Sequence, residues 1–281
     1  MVGRAGGILD KNKERFPTTE LNRDLRRLIV EMVYKGKDGH IPSAFSIIDV
    51  ISFLYDDFLR FDPENPGWEG RDYFILSKGH GCLALYANLF KHGFISRRDI
   101  ELFCMPGGIL GEHPDSTKIP GVEASTGSLG HGFPFSMGIA LGQRIKGGDN
   151  RIVALIGDGE CQEGTIWETA LVAAYRKLGN LCCIVDLNGS AEQILPLGDL
   201  KAKWEAFGWE AHEIDGHSQE ELRRVFGKLQ FASEGRPKVV IAHTVKGKGV
   251  PMIEGHGVWH HRIPSEQEYG HLMQVLSDES R

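Results

Sequence analysis

Hydrophobic positions recur along the chain in two alternating patterns. From Leu21 the apolar residues follow the spacing of one face of an amphipathic helix, and a second helical stretch runs from Ile47 to Phe58. Beyond residue 70, short β-rich runs alternate with helical ones. The predicted strands are Tyr73–Leu76, Ile152–Ile156, Leu181–Leu187, Glu210–Ile214 and Val239–Val245. The predicted helices are Cys82–Lys91, Phe133–Lys146, Thr165–Leu178, Leu200–Phe207 and Glu220–Ser233.

Two of the predicted strands, 152–156 and 182–185, are apolar on successive residues. Strands that are buried on both faces have this composition, which is typical of parallel sheets covered by helices. The alternation of strands and helices therefore predicts an α/β fold, a doubly wound and mostly parallel sheet with helices on both faces. Ligands bind such sheets at the carboxyl ends of the strands.

We divide the chain into three segments. Residues 1–17 are polar and unpatterned and are interpreted as a loose N-terminal arm, 18–265 as one α/β domain, and 266–281 as a C-terminal tail. After Trp259 only about twenty residues remain, which is too few for another domain.

Composition and charge exclude several classes of protein. Lys and Arg number 32 against 38 Asp and Glu, a net charge of −6, so there is no basic excess for binding nucleic acid. No apolar run reaches the roughly 18 residues of a membrane-spanning helix, and no secretory leader opens the chain. Five cysteines without C-x-x-C spacing argue against disulfides and zinc knuckles and favour the cytoplasm.

Glycine is unusually frequent, and it clusters where apolar runs end. The chain has 36 glycines among 281 residues. The strand 152–156 is followed by Gly157-Asp158-Gly159, and the next apolar strand ends before Asn188, 30 residues after Asp158. If these strands are parallel neighbours, Asp158 and Asn188 lie side by side. A carboxylate and an amide oxygen suit Mg²⁺ or Ca²⁺, which would hold a diphosphate there.

This arrangement resembles the thiamine diphosphate motif, and the form Gly-Asp-Gly-x-x-Gln-Glu-Gly at 157–164 is similar to transketolases in particular. The likeness extends from about Leu21 to Pro264. It includes Gly39–Ser43, Leu76–Gly81, Gly111–Asp115, Pro120–Gly132 and Trp259–His261.

The resemblance implies a role for each matching residue. The cofactors would be thiamine diphosphate and Mg²⁺ or Ca²⁺, with the metal bound by Asp158, Asn188 and the backbone carbonyl of Ser190. His80 would contact the diphosphate, and Glu163 would be the glutamate at the subunit interface. The residues packed around the cofactor would be Gly127, Ser128, Leu129, Gly157 and Gly159. The catalytic histidines that line the substrate channel would be His40, His113 and His260.

Histidines at glycine-rich loops also suit this chemistry independently of the resemblance. The chain has 12 His, and several of them lie beside glycine between predicted elements. Imidazole is the side chain that exchanges protons near neutral pH. His256, His260 and His261 have the H-x₃-H spacing of metal ligands, but no Cys or further His completes a set in the sequence, and we predict no metal there.

All these motifs belong to the half of a thiamine enzyme that holds the diphosphate. The resemblance therefore implies the N-terminal subunit of a split transketolase, a transferase of carbohydrate metabolism. Its partner would be a C-terminal transketolase-like subunit that supplies the pyrimidine-binding domain and the activating glutamate, in an α₂β₂ assembly. The reaction implied is transfer of a two-carbon ketol unit from a ketose (phosphate) donor to an aldehyde acceptor.

A second enzyme hypothesis keeps the cofactor and changes the donor, for example to a 2-oxo acid in specialised metabolism. Cys104 stands after Phe103 where the family often has arginine, and the stretch from Asn188 through Gln193 to Pro196 is several residues shorter than in the family. Either change leaves room for another donor.

Two further alternatives belong to other functional classes. A degenerate subunit that only binds a partner would be indicated by loss of Asp158, Asn188 or His80, and all three are present. A nicotinamide dehydrogenase would need G-x-G-x-x-G after its first strand. The glycine cluster at 127–132 does not have that pattern.

Overall fold

The five predicted strands are all present in the structure. The computed structural model describes residues 22–255 and 257–278, so the predicted arm, residues 1–17, lies outside the described residues. The strands are β1 Tyr73–Leu76, β2 Ile152–Gly157, β3 Leu181–Leu187, β4 Glu210–Asp215 and β5 Lys238–His243.

Ten α-helices surround these strands within the described ranges. They are α1 Arg23–Gly36, α2 Ile41–Phe45, α3 Ile48–Phe53, α4 Cys82–Lys91, α5 Arg97–Glu101, α6 Gly132–Lys146, α7 Gly164–Tyr175, α8 Leu200–Ala206, α9 Gln219–Phe226 and α10 Glu266–Ser277. A π-helical turn, Leu54–Phe58, continues α3. No described helix is both long and apolar enough to cross a membrane.

All five strands run parallel, in the order β1-β2-β3-β5-β4. The apolar strands β2 and β3 lie next to each other, and their pairing runs from Ile152 opposite Leu181 to Gly157 opposite Asp186. Because every strand points the same way, all the carboxyl ends meet at one edge of the sheet. The segments just after β1, β2, β3 and β5 supply most of the buried polar residues discussed below, and His40 comes from the segment between α1 and α2.

Helices cover both faces of the sheet. Val153 and Leu155 of β2 point into a core formed with α1 to α4, α9 and α10. Ile152, Ala154 and Ile156 point to the other side, into a core formed with α6, α7 and α8. Alternate residues of one strand thus enter two different cores, which explains the uninterrupted apolar run in the sequence. The predicted doubly wound α/β fold is confirmed.

The structure differs from the prediction mainly at short or terminal elements. Helices α2 and α5 have 5 residues each, too few to give a periodic pattern, and the sequence did not predict them. Helix α9 ends at Phe226 rather than Ser233, because its last buried residues are Val225 and Phe226 and Gly227 follows.

Residues 266–281, assigned above to a C-terminal tail, include helix α10. Ser265 and Glu268 form a capping box at its start, and Leu272 and Leu276 are buried where the helix packs on α1. These apolar residues, one turn apart, are the signal that the sequence analysis overlooked. The boundary at residue 265 stays a prediction.

Candidate functional site

The ends of β2 and β3 bring two predicted site residues to the same edge of the sheet. Asp158 follows β2 directly and Asn188 follows β3 directly. Both are buried, with exposed fractions of 2% and 8%. The prediction that they follow neighbouring parallel strands is confirmed by the pairing of β2 with β3.

Asp158 is a buried carboxylate that is hydrogen-bonded by the backbone. Its Oδ1 accepts from the N–H of Gly159 at 2.8 Å, and its Oδ2 accepts from the N–H of Ala191 at 3.3 Å. The second bond links the end of β2 to the loop that follows Asn188. Burial, and then the negative charge of Asp186, raise the pKa of the Asp158 carboxyl above its ordinary value. A cation bound here would relieve both effects.

Asn188 and Ser190 lie in the loop whose Ala191 N–H donates to Asp158, and their side chains carry oxygen atoms. The Asn188 Oδ1 accepts from the Ser190 N–H at 3.1 Å and from the Ser190 Oγ at 2.6 Å. The Asn188 Nδ2 donates to Asp186 Oδ2 at 2.6 Å, which fixes the orientation of the amide. The region thus offers a carboxylate and an amide oxygen, a donor set suited to a hard divalent cation.

Asp186 itself is neutralised by a lysine that the sequence analysis did not single out. Lys78, just beyond β1, donates its Nζ to Asp186 Oδ2 at 2.5 Å and to Ser46 Oγ at 3.0 Å. Burial opposes ionisation of Asp186, but the charge of Lys78 outweighs it, so the pKa of Asp186 lies below its ordinary value. This buried ion pair joins the ends of β1 and β3.

A second buried lysine, Lys246, follows β5 and was also missed. Its exposed fraction is 6%, and its Nζ lies 2.7 Å from His260 Nδ1 and 3.4 Å from Ser190 Oγ. Burial, and then the charge of Lys78, lower the pKa of Lys246 to about 8. The strand-end argument that identified Asp158 applies equally to Lys246, and it would have found this residue.

Glu160 is a third residue that the sequence analysis missed. It is fully buried, and its carboxylate accepts from Ser77 Oγ at 2.6 Å, Gly130 N–H at 3.0 Å and Gly157 N–H at 2.9 Å. Burial raises its pKa above the ordinary value. Glu160 thereby ties together the loops after β1 and β2 and the glycine-rich loop before α6.

Three of the predicted histidines come together from distant parts of the sequence. The ring of His40 lies 5.3 Å from that of His80 and 5.3 Å from that of His260, and His80 lies 6.0 Å from His260. Burial, and then the charge of Lys78, lower the pKa of His80 to about 2. Burial and the neighbouring histidines lower that of His40 to about 4. Both rings are therefore neutral at neutral pH.

His113 and the predicted glycine loop lie against each other. A side chain on Gly127 would place its Cβ 2.9 Å from His113 Cδ2, and one on Gly79 would place it 2.7 Å from the Gly127 backbone nitrogen. Glycine is therefore required where these loops cross. Ser128 and Leu129 are exposed beyond the crossing.

The remaining predicted residues flank the end of β2. Gly157 is the last residue of the strand, and a Cβ on Gly159 would meet nothing within 4 Å, so space is open beside Asp158. Glu163 is exposed at the start of α7, and its side chain lies against Gly130. Glu163 thus lies at the surface, beside the buried Gly130.

The sequence matches the family described as transketolase, thiamine diphosphate binding domain, over residues 18–274. The chain belongs to the transketolase family. The resemblance stated from the sequence is confirmed, and with it the thiamine-diphosphate-binding type of fold.

Individual subunits of transketolases are similar to the chain over most of their length. One subunit of the apulose-4-phosphate transketolase of Phocaeicola vulgatus is 38% identical over 258 residues, which cover 90% of this chain and 91% of that protein. The 6-deoxy-6-sulfo-D-fructose transketolase subunit SqwG of Clostridium sp. is 37% identical over 260 residues, covering 91% of this chain and 94% of that protein.

Solved transketolases share the fold but are longer. The transketolase from Leishmania mexicana gives a TM-score of 0.86 at 25% identity, covering 92% of this chain and 41% of that one. The Campylobacter jejuni transketolase gives 0.83 at 30% identity, covering 92% and 42%. The chain therefore spans about two fifths of these transketolases.

The geometry fits the cofactor of this family. Asp158 is a buried carboxylate whose hydrogen bonds, within the described part of the chain, come from backbone N–H groups. Lys246 is a buried cation beside Ser190. A divalent cation would satisfy the first group and a diphosphate the second. The donor oxygens and the open space beside Gly159 agree with both ligands.

Proposed function

We propose that this transketolase-family chain is the N-terminal, diphosphate-binding subunit of a two-component transketolase. The complex transfers a two-carbon ketol unit from a ketose phosphate donor to an aldehyde acceptor. The observation that carries the proposal is the meeting of Asp158 with the loop after Asn188 at adjacent strand ends. Relatives named as subunits, matched over nearly their whole length, support the division into two chains.

Thiamine diphosphate would be held through a Mg²⁺ ion. The side chains of Asp158 and Asn188 and the backbone carbonyl of Ser190 would coordinate the metal, because they are hard oxygen donors at the ends of neighbouring strands. His80 and Lys246 would contact the diphosphate, and Lys246 is a buried cation whose Nζ lies 3.4 Å from Ser190 Oγ. Gly157, Gly159 and the loop of Gly127, Ser128 and Leu129 would pack against the cofactor, and space is open at Gly159.

When bound, thiamine diphosphate supplies the electron sink that lets a carbon–carbon bond beside a carbonyl be broken and remade. The chain orients the donor and moves its protons. His40, His113 and His260 line the channel and contact the donor hydroxyls. Burial and the neighbouring histidines hold the pKa of His40 at about 4, so its ring is neutral at neutral pH and its ring N–H can donate to a donor hydroxyl.

A partner subunit completes the site and supplies the pyrimidine-binding domain and the activating glutamate. Helices α6 and α7 pack side by side and expose large apolar residues at their outer surface. We call this surface the α6–α7 face; it consists of Phe135, Ile145, Leu171, Val172 and Tyr175, with exposed fractions from 42% to 80%. Large exposed apolar residues on two neighbouring helices are typical of an interaction surface. Glu163 lies at the start of α7 and therefore beside the α6–α7 face. It would be the glutamate at the subunit interface of an α₂β₂ assembly.

The donor is a ketose that carries an anionic group. The relatives are named for apulose 4-phosphate and for 6-deoxy-6-sulfo-D-fructose, both ketoses with such a group. These names do not favour the 2-oxo acid alternative. The complex works in the cytoplasm, and the cysteines, all free thiols, agree with a reducing compartment.

The test is reconstitution with the protein encoded by the neighbouring reading frame. We expect the complex to act on xylulose 5-phosphate in the presence of thiamine diphosphate and Mg²⁺, to act far less on pyruvate, and the chain alone to have negligible activity. Full activity of the chain alone would refute the two-component proposal. Preference for pyruvate would favour the acyl-transfer alternative, and absence of cofactor binding to the complex in calorimetry would favour a degenerate subunit.

The interface has its own test. Leu171→Glu places a charge on the α6–α7 face, and we expect it to prevent assembly of the complex in analytical ultracentrifugation. Gln230→Glu adds the same charge at an exposed position after α9 and should leave assembly unchanged. If Leu171→Glu assembles normally, this face is not the interface.

A further inference from the structure

A cluster of metal-ligand side chains lies beside the histidines of the candidate site. Glu112 Oε1 is 3.5 Å from His40 Nδ1 and 3.5 Å from His261 Nε2, and one ligand atom of each residue lies within 4.8 Å of the other two. The His40 and His261 rings stack at 4.5 Å. The three residues come from three separate loops, so no motif in the sequence predicted the cluster.

The spacing suits a single transition-metal ion. Zn²⁺ binds imidazole nitrogens and carboxylate oxygens at roughly 2.0–2.2 Å in tetrahedral geometry, which separates the ligand atoms by roughly 3.3 Å. The two measured separations of 3.5 Å are close to that value. Two imidazoles favour Zn²⁺ and similar ions over Mg²⁺, which prefers oxygen ligands.

His40 provides an independent indication of a ligand. Its Nδ1 is buried and has no hydrogen-bond partner among the described residues. Nearly all buried polar atoms in proteins have a partner, so an atom of this kind requires an explanation. Burial and the nearby histidines lower the pKa of His40 to about 4, so a lone pair is available at neutral pH. A metal ion would supply the missing partner.

The charges around the cluster favour a cation. Asp38 Oδ1 lies 2.9 Å from His261 Nε2, which places a second carboxylate beside Glu112. Both carboxylates also act on Cys104. Burial and then the charges of Asp38 and Glu112 raise the pKa of its thiol to about 11. The two carboxylates thus lie beside His40, whose ring is neutral, and their negative charge favours a cation.

We propose that His40, Glu112 and His261 form a three-residue binding site for a divalent transition-metal ion such as Zn²⁺. The site shares no residue with the set of Asp158, Asn188 and Ser190. It also revises our rejection of a metal near the H-x₃-H sequence. His256 lies outside the described residues and His260 faces Lys246, but His261 meets partners that the sequence did not place beside it.

The test is calorimetric titration of the untagged full-length chain with Zn²⁺, in excess Mg²⁺ and without thiamine diphosphate. We expect one Zn²⁺ to bind per chain. Glu112→Gln and His261→Ala should each weaken its binding at least about tenfold, because loss of a direct ligand costs no less than loss of an outer-shell partner. Both side chains are partly exposed, at 32% and 50%, so the variants should fold, as circular dichroism would verify.

Two variants serve as controls. Glu213→Gln removes the carboxylate of an exposed pair, His243 Nε2 to Glu213 Oε1 at 3.1 Å, and should leave Zn²⁺ binding unchanged. Cys104→Ala should also leave it unchanged, whereas loss of binding there would assign the metal to a thiolate and overturn the proposal. Failure of the wild-type chain to bind Zn²⁺, or unchanged binding by Glu112→Gln and His261→Ala, would overturn it as well. No substrate, cofactor or partner is needed, so the result is independent of the proposed function.

Discussion

The ends of β2 and β3 carry two buried aspartates in contrasting surroundings. Asp186, with an exposed fraction of 1%, is bonded by Lys78, Asn188 and Thr244. Asp158, with an exposed fraction of 2%, accepts hydrogen bonds from backbone N–H groups. The pKa of Asp186 is lowered despite its burial, chiefly by Lys78, while burial and the charge of Asp186 raise that of Asp158.

The contrast supports the roles we propose, a structural carboxylate at Asp186 and a ligand-binding one at Asp158. The charge of Asp186 is compensated inside the chain, so it can be buried without a ligand. The charge of Asp158 is stabilised by backbone dipoles and still repelled by its neighbour, so the folded chain leaves it in need of a cation. We therefore propose different roles for these two aspartates, and four experiments test that difference.

Removing the lysine should have the largest effect. Lys78→Met leaves Asp186 buried without its counter-charge, and we expect the chain to lose about 3–5 kcal/mol of unfolding free energy. Urea denaturation without ligands measures it. Adding Asp186→Asn to Lys78→Met should recover most of the loss, because the uncompensated charge is then gone. A small effect of Lys78→Met alone would contradict the structural role of the pair.

Neutralising the other carboxylate should affect binding instead of folding. In Asp158→Asn we expect Mg²⁺-dependent affinity for thiamine diphosphate in the assembled complex to fall at least about a hundredfold, since a direct ligand of the metal is lost. The unfolding free energy without ligands should not fall. Retained affinity, measured by calorimetry, would remove Asp158 from the metal site.

Lys246 should contribute less, because in the proposed site it contacts the diphosphate and not the metal. We expect Lys246→Met to weaken thiamine diphosphate binding about tenfold, the value of one hydrogen bond to a charged group. Lys248→Met, two residues away on the same loop, is the matched control and should bind normally. Equal effects of the two substitutions would indicate general electrostatic attraction and not a specific contact.

The pH dependence of stability should show the smallest effect. The folded-state pKa of Asp158 is raised, so its stabilising contribution is complete below its unfolded pKa of about 3.9 and is lost as the pH rises through the folded value. Without ligands, the stability of the wild type relative to Asp158→Asn should therefore fall as the pH rises above about 4. The raised pKa of Glu160 acts in both proteins and cancels. A difference that does not change with pH would show that Asp158 is not strained.

The features that follow from local pattern were predictable from the sequence. The apolar run 152–156 required burial on both faces, which made its strand parallel and placed Asp158 at a carboxyl end. The same argument located Asn188. Short helices such as α2, and the end of α9, were less predictable because tertiary contacts and not periodicity set their limits.

The pairing of side chains across loops was not predictable. Lys78 and Asp186 are 108 residues apart and Glu112 and His261 are farther still, so no spacing in the sequence connects them. The sequence by itself determined the parallel sheet and its strand-end residues, because an apolar run that needs burial on both faces is a local property of each strand. Only the tertiary structure decided which charges are compensated and which remain open to a ligand, because that depends on what the loops bring within a few ångströms.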